Sequence, residues 1–307
     1  MVTIYEVGPR DGLQNESARL PVASKLRLID ALADAGLSRI ELGSFVRPDW
    51  IPQLAETDEV ARRLRQRPGV RFVALVPNRT GLERALAAGV REIAVFMSSS
   101  ETHNFKNTNK SIAQSLEHFG EIVPLALQGG AFVRAYLSTV WGCPYEGKVD
   151  TRRALEISLA LKRMGCREIS LGDTIGVGNP RQTAGIVRLF FAAGFGADEI
   201  ALHLHDTHGT ALANCLSALD LGVRTFDTSI GGMGGCPYAP GAAGNLATED
   251  LVSMLADMGV ETGVDLEKLI DAGRLAQELI GHKLPGRRLQ AALGRNAPGE
   301  ARPAAST

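Results

Sequence analysis

The chain has 307 residues, of which 45% are hydrophobic, and its formal net charge at pH 7 is −1. A chain of this length and composition can bury a large core, and its balanced charge gives no electrostatic attraction to nucleic acid or to anionic membranes. We therefore expect a globular protein that has neither nucleic acid nor a membrane as a partner.

The cysteines and the amino terminus favour a reducing compartment. The four cysteines, Cys143, Cys166, Cys215 and Cys236, are widely spaced and form no CxxC pair. The opening MVTIYEVGPRDG is typical of a strand rather than of a targeting segment, and no apolar run has the length of a membrane span. The expected location is the cytoplasm.

Short β-rich segments alternate with amphipathic segments along the chain. The predicted strands are Val2–Val7, Arg39–Leu42, Arg71–Leu75, Glu92–Phe96, Ala131–Ser138, Glu168–Leu171, Glu199–His205 and Thr225–Thr228. Helical patterns between them include SKLRLIDALADAG, TGLERALAAG, TRRALEISLALKRMG, TAGIVRLFFAAG and GTALANCLSALDLG. Several of these patterns end at a glycine, which is the usual residue after a helix terminus.

Eight β-then-α units in about 260 residues predict a (β/α)₈ TIM barrel. A doubly wound sheet is the alternative, but it would need a glycine-rich phosphate loop after the first strand, and GPRDG lacks that spacing. Two extra C-terminal helices are predicted, over Thr248–Met258 and Asp265–Ile280. Residues 1–284 are thus expected to form one barrel domain, and residues 285–307 a loose tail.

Polar side chains follow several predicted strands at their carboxyl ends, where barrel enzymes place reactive groups. These are Glu6, Arg10 and Asp11 after the first strand, Glu41 in the second, Asp173 after the sixth, and His203 and His205 in the seventh. Side chains alternate along a strand, so His203 and His205 point to the same side. Such a pair favours a metal site over two unrelated structural histidines.

A metal at this histidine pair needs further ligands. Asp11 is a candidate because strands one, seven and eight are neighbours in a closed barrel, and Asn245 after strand eight can add an amide oxygen. Imidazoles, a carboxylate and an amide oxygen suit octahedral Mg²⁺ or Mn²⁺ better than a sulfur-rich zinc site.

A glycine-dense segment, GGMGGCPYAPGAAGN, spans residues 231–245 and contains Cys236. Its glycines permit backbone conformations that side chains forbid and allow close approach to a ligand, so the segment is typical of a flexible loop over a site. The alternative for Cys236 is a buried, inert thiol.

Together these motifs resemble the 3-hydroxy-3-methylglutaryl-CoA lyase family. The resemblance covers nearly the whole barrel and rests on EVGPRDGLQNE, ELGSF, GCPYEG, LGDTIGVGNP, HLHDTHGTALAN and GGCPYAPGAAGNLATEDLV. The opening and the HxHD pair also resemble isopropylmalate and homocitrate synthases, whereas the cysteine loop singles out the lyase branch. The resemblance implies a TIM barrel, a divalent cation (Mg or Mn), an acyl-CoA substrate, and cleavage to acetyl-CoA and acetoacetate. A homodimer is one possible assembly, which the sequence does not decide.

The resemblance also implies roles for individual residues. It makes Asp11, His203, His205 and Asn245 the metal ligands, Arg10 the cation that faces the reacting carbonyl, and Cys236 the catalytic residue of the loop. Glu41 and Asp173 are expected to orient the site through hydrogen bonds to Arg10, to the ligands or to bound water. The alternatives are a rim ion pair for Arg10 and a helix cap for Asp173.

Two departures from the family pattern leave the acyl group open. The chain reads TSIGGMGGCPY before and through the cysteine loop, and DTHG with His208 where many members read DTYG. A lyase for a longer branched 3-hydroxyacyl-CoA, an acyl transferase that condenses acetyl-CoA with a 2-oxo acid, and a non-catalytic binding barrel are the alternatives. The segment around His103 is expected to be a solvated loop; the alternative is that His103 faces the substrate entrance, where Lys106 and Lys110 offer charge to CoA phosphates. His208 is expected to be a solvated or capping residue, with a third imidazole at the site as the alternative.

Overall fold

The computed structural model describes residues 1–234 and 244–295 of the chain. Eight parallel strands follow one another in chain order around a closed barrel, which β8 completes by pairing with β1. This arrangement confirms the predicted (β/α)₈ barrel and excludes the doubly wound sheet. The strands are β1 Thr3–Glu6, β2 Arg39–Ser44, β3 Arg71–Leu75, β4 Glu92–Ser98, β5 Phe132–Ser138, β6 Glu168–Asp173, β7 Ile200–Leu204 and β8 Thr225–Thr228.

Helices surround the barrel, and most of them bury an apolar face against its strands or against neighbouring helices. They are α1 Val22–Asp34, α2 Thr57–Arg63, α3 Arg79–Ala87, α4 Glu101–Thr108, α5 Ile112–Gln128, α6 Thr151–Met164, α7 Pro180–Ala192, α8 Ala211–Asp220, α9 Thr248–Asp257, α10 Leu266–Ile280 and α11 Arg287–Arg295. No helix in the two described ranges is long and apolar enough to cross a membrane.

Local chemistry explains where these helices begin and end. At the start of α6, the Asp150 carboxylate accepts a hydrogen bond from the Arg152 backbone N–H at 2.9 Å. The helix ends at Gly165, whose φ of 111° lies in the left-handed region that glycine adopts without strain. The predicted span of this helix is confirmed.

The segment around His103 is a helix, so the expectation of a solvated loop is wrong. The Ser100 hydroxyl accepts a hydrogen bond from the His103 backbone N–H at 3.1 Å and thereby caps α4. His103 and Asn104 are buried on the inner face of this helix. The sequence pattern did not predict α4, because the side chains that this helix buries are polar and produce no hydrophobic periodicity.

The segment from Pro285, expected to be a loose tail, instead begins with α11. Asp250 accepts hydrogen bonds from the backbone N–H groups of Arg287 at 3.1 Å and Arg288 at 2.6 Å, and Leu289 is buried. A carboxylate at a helix amino terminus satisfies donors that the helix itself leaves unpaired. Residues 296–307 lie outside the described residues, and the tail remains a prediction for them.

Two buried carboxyl groups hold the turn that follows β8. Glu6 accepts hydrogen bonds from the Ile230 backbone N–H at 2.8 Å and from the Thr248 hydroxyl at 2.6 Å. Glu249 accepts one from the Gly231 backbone N–H at 2.8 Å. Burial raises the pKa of Glu6 to about 7 and that of Glu249 to about 8. Both groups therefore bind a proton more tightly in the folded than in the unfolded chain.

We predict that Glu249→Gln flattens the dependence of stability on pH. A carboxyl group whose pKa is raised in the folded state contributes its full stabilisation at pH values below its unfolded pKa of 4.5. This contribution to the free energy of unfolding is lost as pH rises through the folded pKa of about 8. The neutral glutamine removes this loss, which is worth up to about 1.4 kcal/mol per pKa unit. The free energy of unfolding, measured in urea from pH 4.5 to pH 8, should fall less steeply in the variant.

The matched control for this prediction is Glu278→Gln on the exposed face of α10. This variant should keep the pH dependence of the original chain. Identical slopes for the original chain and Glu249→Gln would contradict the prediction.

Candidate active site

A cavity of about 320 Å³ opens at the carboxyl ends of the barrel strands. Its lining includes Arg10, Asp11, His203 and His205, which sequence reasoning had singled out. These residues come from the segments after β1 and from the end of β7, so closure of the barrel brings them together. The cavity lies where barrel enzymes bind their substrates.

Asp11, His203 and His205 form a cluster with the geometry of a metal site. One ligand atom from each residue can be chosen so that all three atoms lie within 4.8 Å of one another. His203 Nε2 is 3.8 Å from Asp11 Oδ2, and the two imidazole centroids are 5.4 Å apart. The expectation that both histidines point to the same side is therefore confirmed, although β7 ends at Leu204, one residue before His205.

Asn245, the fourth expected ligand, lies beside the other three residues. It pairs with His205 in an isolated β-bridge, and its side-chain amide nitrogen donates to Asp11 Oδ2 at 2.8 Å. Gly234 allows this approach, because its φ is +96° and a Cβ there would lie 2.9 Å from the amide nitrogen of Asn245. The amide thus lies beside the Asp11 carboxylate. Its role as a ligand remains a prediction.

The chemistry of the cluster fits a divalent cation. His205 is buried, yet its Nδ1 has no hydrogen-bond partner among the residues that the structure describes, which is unusual for a buried polar atom. Burial and the neighbouring His203 lower the pKa of His205 to about 4, so the ring is neutral near pH 7. Burial opposes ionisation of Asp11, but Arg10 and both imidazoles lower its pKa to about 2. A neutral imidazole and an ionised carboxylate are the protonation states that bind metal.

Arg10 is held beside this cluster by two carboxylates. Its Nε donates to Glu41 Oε2 and its Nη1 donates to Asp11 Oδ1, both at 2.7 Å. Tyr136 adds a hydrogen bond to Glu41 Oε2 at 3.0 Å, and its ring centroid lies 5.1 Å from the Arg10 Cζ. The guanidinium therefore forms the expected ion pairs and also lines the cavity, while its role towards a reacting carbonyl remains a prediction.

Tyr136 and Asp227 were not among the residues predicted from sequence. Asp227 is buried in β8, and its Oδ2 lies 3.2 Å from His203 Nδ1 and 2.7 Å from the Ser170 hydroxyl. Its other oxygen pairs with Arg134 at 2.5 Å. The signal that points to them is polarity inside a predicted barrel strand, because inward positions of a barrel are normally apolar.

Asp173 makes different contacts from those expected. Its carboxylate accepts backbone hydrogen bonds from Val177 at 3.1 Å and Gly178 at 2.8 Å, and it contacts neither Arg10 nor a candidate metal ligand. It organises the turn before α7, close to the capping alternative. The Asp173 carbonyl also accepts a hydrogen bond from the His205 backbone N–H at 3.4 Å, which links this turn to the metal cluster.

The remaining candidates fall outside the cluster. Cys236 lies outside the described residues, so its position is untested. Cys143, Cys166 and Cys215 are buried free thiols. His208 is exposed, as expected of a solvated residue, whereas His103 lines the cavity.

Comparison with known proteins assigns this site to a family. The HMGL-like family model matches residues 1–276. The chain belongs to the HMGL-like family. The match spans the barrel and confirms the family resemblance of the motifs.

Similar proteins share this fold over almost their whole length. The hydroxymethylglutaryl-CoA lyase YngG of Bacillus subtilis is 51% identical over 289 residues, which cover 94% of this chain and 96% of the relative. A Pseudomonas aeruginosa relative, "3-hydroxy-3-isohexenylglutaryl-CoA/hydroxy-methylglutaryl-CoA lyase", is 47% identical over 294 residues, which cover 96% of this chain and 98% of the relative. A solved HMG-CoA lyase from Acinetobacter baumannii, in complex with coenzyme A and 3-methylmalate, is 40% identical with a TM-score of 0.91 and covers 99% of this chain and 98% of its own.

We predict that Asp227→Asn weakens metal binding by about 10–100-fold, because a carboxylate behind a ligating imidazole orients the ring and raises its basicity. Affinity for Mn²⁺, measured by the electron paramagnetic resonance signal of the free ion, tests this without any substrate.

The matched control for this prediction is Glu168→Gln. Glu168 pairs with the same buried Arg134, at 2.7 Å, but does not touch His203. This variant should bind Mn²⁺ as the original chain does. Equal weakening in both variants would mean that the buried network acts only on folding.

Proposed function

We propose that this protein is a hydroxymethylglutaryl-CoA lyase, which cleaves 3-hydroxy-3-methylglutaryl-CoA to acetyl-CoA and acetoacetate with the help of a divalent cation. One observation carries the proposal: Asp11, His203 and His205, a cluster that could hold a metal ion, line the same cavity as the buried Arg10. Carbon–carbon cleavage next to a thioester needs both features at one place.

The residues that would hold the cation are Asp11, His203, His205 and Asn245. When bound, the cation would polarise the C3 hydroxyl of the substrate and make its proton easier to remove. Asp227, behind His203, keeps that imidazole aimed at the cluster.

Arg10 suits the charge that develops on the thioester. As the C2–C3 bond breaks, its electron pair moves into the thioester carbonyl and forms an enolate. The guanidinium can donate to this oxygen, because Nε and Nη1 are engaged by carboxylates and no described residue hydrogen-bonds Nη2. Glu41 and Asp11 raise the pKa of Arg10 above its usual value despite burial, so the charge is permanent.

Two proton transfers complete the reaction. The C3 hydroxyl loses its proton as C3 becomes the ketone of acetoacetate, and C2 of the enolate gains a proton to give acetyl-CoA. We assign a part in this proton transfer to Cys236. Gly231, Gly232 and Gly234, which precede Cys236, have positive φ values that glycine adopts without strain.

The comparisons support the substrate class. The HMG-CoA lyase from A. baumannii was solved with coenzyme A, and this chain matches it over almost its full length. An acyl-CoA substrate is therefore the partner we propose here. We also propose Mg²⁺ or Mn²⁺ as the cation, the cytoplasm as the location and a homodimer as the assembly, which light scattering after size-exclusion chromatography would test.

We predict that purified protein releases acetyl-CoA and acetoacetate from 3-hydroxy-3-methylglutaryl-CoA only with Mg²⁺ or Mn²⁺ present. His205→Ala should lower kcat/KM by at least about 100-fold, since it removes an expected ligand. The matched control is His208→Ala, which removes an exposed imidazole three residues away and should retain activity. Cleavage that survives chelation of the metal would refute the metal dependence.

We predict that Cys236→Ala lowers kcat by about 10²–10⁴-fold, the usual contribution of a residue that transfers a proton. Cys166→Ala is the matched control, because burial raises the pKa of this thiol to about 12 and keeps it inert. Full activity in Cys236→Ala would remove this residue from the mechanism.

A different reaction outcome would favour the transferase alternative. Condensation of acetyl-CoA with a 2-oxo acid, without cleavage of the hydroxyacyl-CoA, would identify a synthase on the same barrel. Mn²⁺ binding without either reaction would indicate a binding barrel.

A further inference from the structure

The segment that leads into α11, residues 282–288, packs against the glycine turn that follows β8, residues 230–234. The Gly286 backbone N–H donates a hydrogen bond to the Gly231 carbonyl at 2.8 Å. On another side of Gly231, a Cβ would lie only 2.5 Å from the Leu284 side chain. The two segments are thus in close contact, through one buried backbone hydrogen bond and through packing.

The glycine turn also holds Asn245, one of the expected metal ligands. The Asn245 backbone N–H donates to the Gly234 carbonyl at 3.4 Å, and its side-chain amide nitrogen donates to the Met233 carbonyl at 3.2 Å. The same amide nitrogen donates to Asp11 Oδ2 at 2.8 Å. Both hydrogens of the amide are therefore engaged, and the side-chain oxygen is the atom left for a cation. The orientation of this amide depends on where the turn lies.

The 282–288 segment contacts the other two ligand-bearing parts of the chain as well. Arg287 Nη1 donates to Asp206 Oδ2 at 3.2 Å, and Asp206 directly follows His205. His282 Nε2 lies 2.6 Å from Glu16 Oε2, in the segment after β1. Exposed ion pairs contribute little to stability, and both of these involve an exposed partner. The buried contact with the glycine turn is therefore the stronger constraint.

This segment is itself anchored at both ends. The Leu284 backbone N–H donates to the Gln277 side-chain oxygen on α10 at 3.0 Å. At the start of α11, the Asp250 carboxylate accepts the backbone N–H groups of Arg287 and Arg288. Because these anchors lie on α9 and α10, the segment has a fixed position from which it can hold the turn.

We propose that the 282–288 segment positions Asn245 for binding of a divalent cation, and that Gly286 is the positioning residue. Gly286 acts through the Gly231 carbonyl and the glycine turn, which sets the amide of Asn245 beside the metal cluster. The inference rests on the proposed function only because it takes the cluster to bind a cation. Residues that support metal ligands change metal affinity by about 10–100-fold when they are altered.

The test measures the Mn²⁺ affinity of the full chain from the electron paramagnetic resonance signal of the free ion, without substrate. Gly286→Ala places a Cβ 3.0 Å from the Gly231 carbonyl oxygen, so the glycine turn must shift. We expect this variant to bind Mn²⁺ about 10-fold more weakly than the original chain. The matched control is Gly294→Ala in α11, where a Cβ would meet no described atom within 4 Å. This control should keep the original affinity.

A second pair of variants tests the same contact without added bulk, in case Gly286→Ala does not fold. Asp250→Ala releases the two backbone N–H groups at the start of α11 and should also weaken Mn²⁺ binding. Its control is Asp265→Ala, which removes the same charge and releases the N–H groups of Glu267 and Lys268 at the start of α10. The control should bind Mn²⁺ as the original chain does.

A double variant separates positioning from folding. If Gly286 acts through Asn245, Gly286→Ala should have no further effect on Mn²⁺ affinity when Asn245→Ala is already present. A purely structural role would instead lower the number of Mn²⁺ sites per chain and leave the affinity of the remaining sites unchanged.

The outcomes distinguish this inference from the proposed function. Equal affinities of each variant and its control would overturn the inference and leave the metal cluster standing. Additive losses in the double variant would overturn it too, because the segment would then act by a route other than Asn245. Absence of Mn²⁺ binding by the original chain would overturn the metal dependence of the proposed function together with the inference.

Discussion

The carboxylate of Asp11 joins the two halves of the site. Its Oδ1 accepts a hydrogen bond from Arg10 Nη1 at 2.7 Å. Its Oδ2 accepts one from the Asn245 amide at 2.8 Å and lies 3.8 Å from His203 Nε2. Without this group the guanidinium would keep only Glu41 as a carboxylate partner, and the metal cluster would keep its two imidazoles but lose its carboxylate. The spacing between arginine charge and metal cluster is therefore set by one residue in the short helical turn after β1.

The interior of the barrel contains a second set of buried charges that pair with one another. Arg134 on β5 is almost fully buried and pairs with Glu168 and Asp227. Buried ion pairs contribute little net stability, because desolvation offsets the attraction, but loss of one partner is costly. The network therefore fixes the positions of these side chains more than it adds to the free energy of unfolding. One of its members, Asp227, also contacts Nδ1 of His203.

The carboxyl groups around the site divide into three kinds by their partners. Asp11 and Glu41 pair with arginine, Asp227 also supports an imidazole, and Glu6 and Asp173 bind backbone N–H groups. The last kind shapes the segments that carry functional residues, since Glu6 holds the turn that leads into the cysteine loop. All five side chains would look alike in a sequence motif, yet only Asp11 and Glu41 contact Arg10, which lines the cavity.

Sequence alone determined the barrel and most of the site, because both depend on periodicity and on strand ends. The eight alternating units predicted the closed sheet, and the i, i+2 spacing of His203 and His205 predicted their common direction. Sequence did not distinguish Asp173 from Glu41, since each is an acid at the end of a strand. It also missed Asp227 and the helices α4 and α11, whose positions depend on partners distant in the chain, such as Arg134 and Asp250. Only the tertiary structure decided these points, because closure of the barrel determines which buried charges meet.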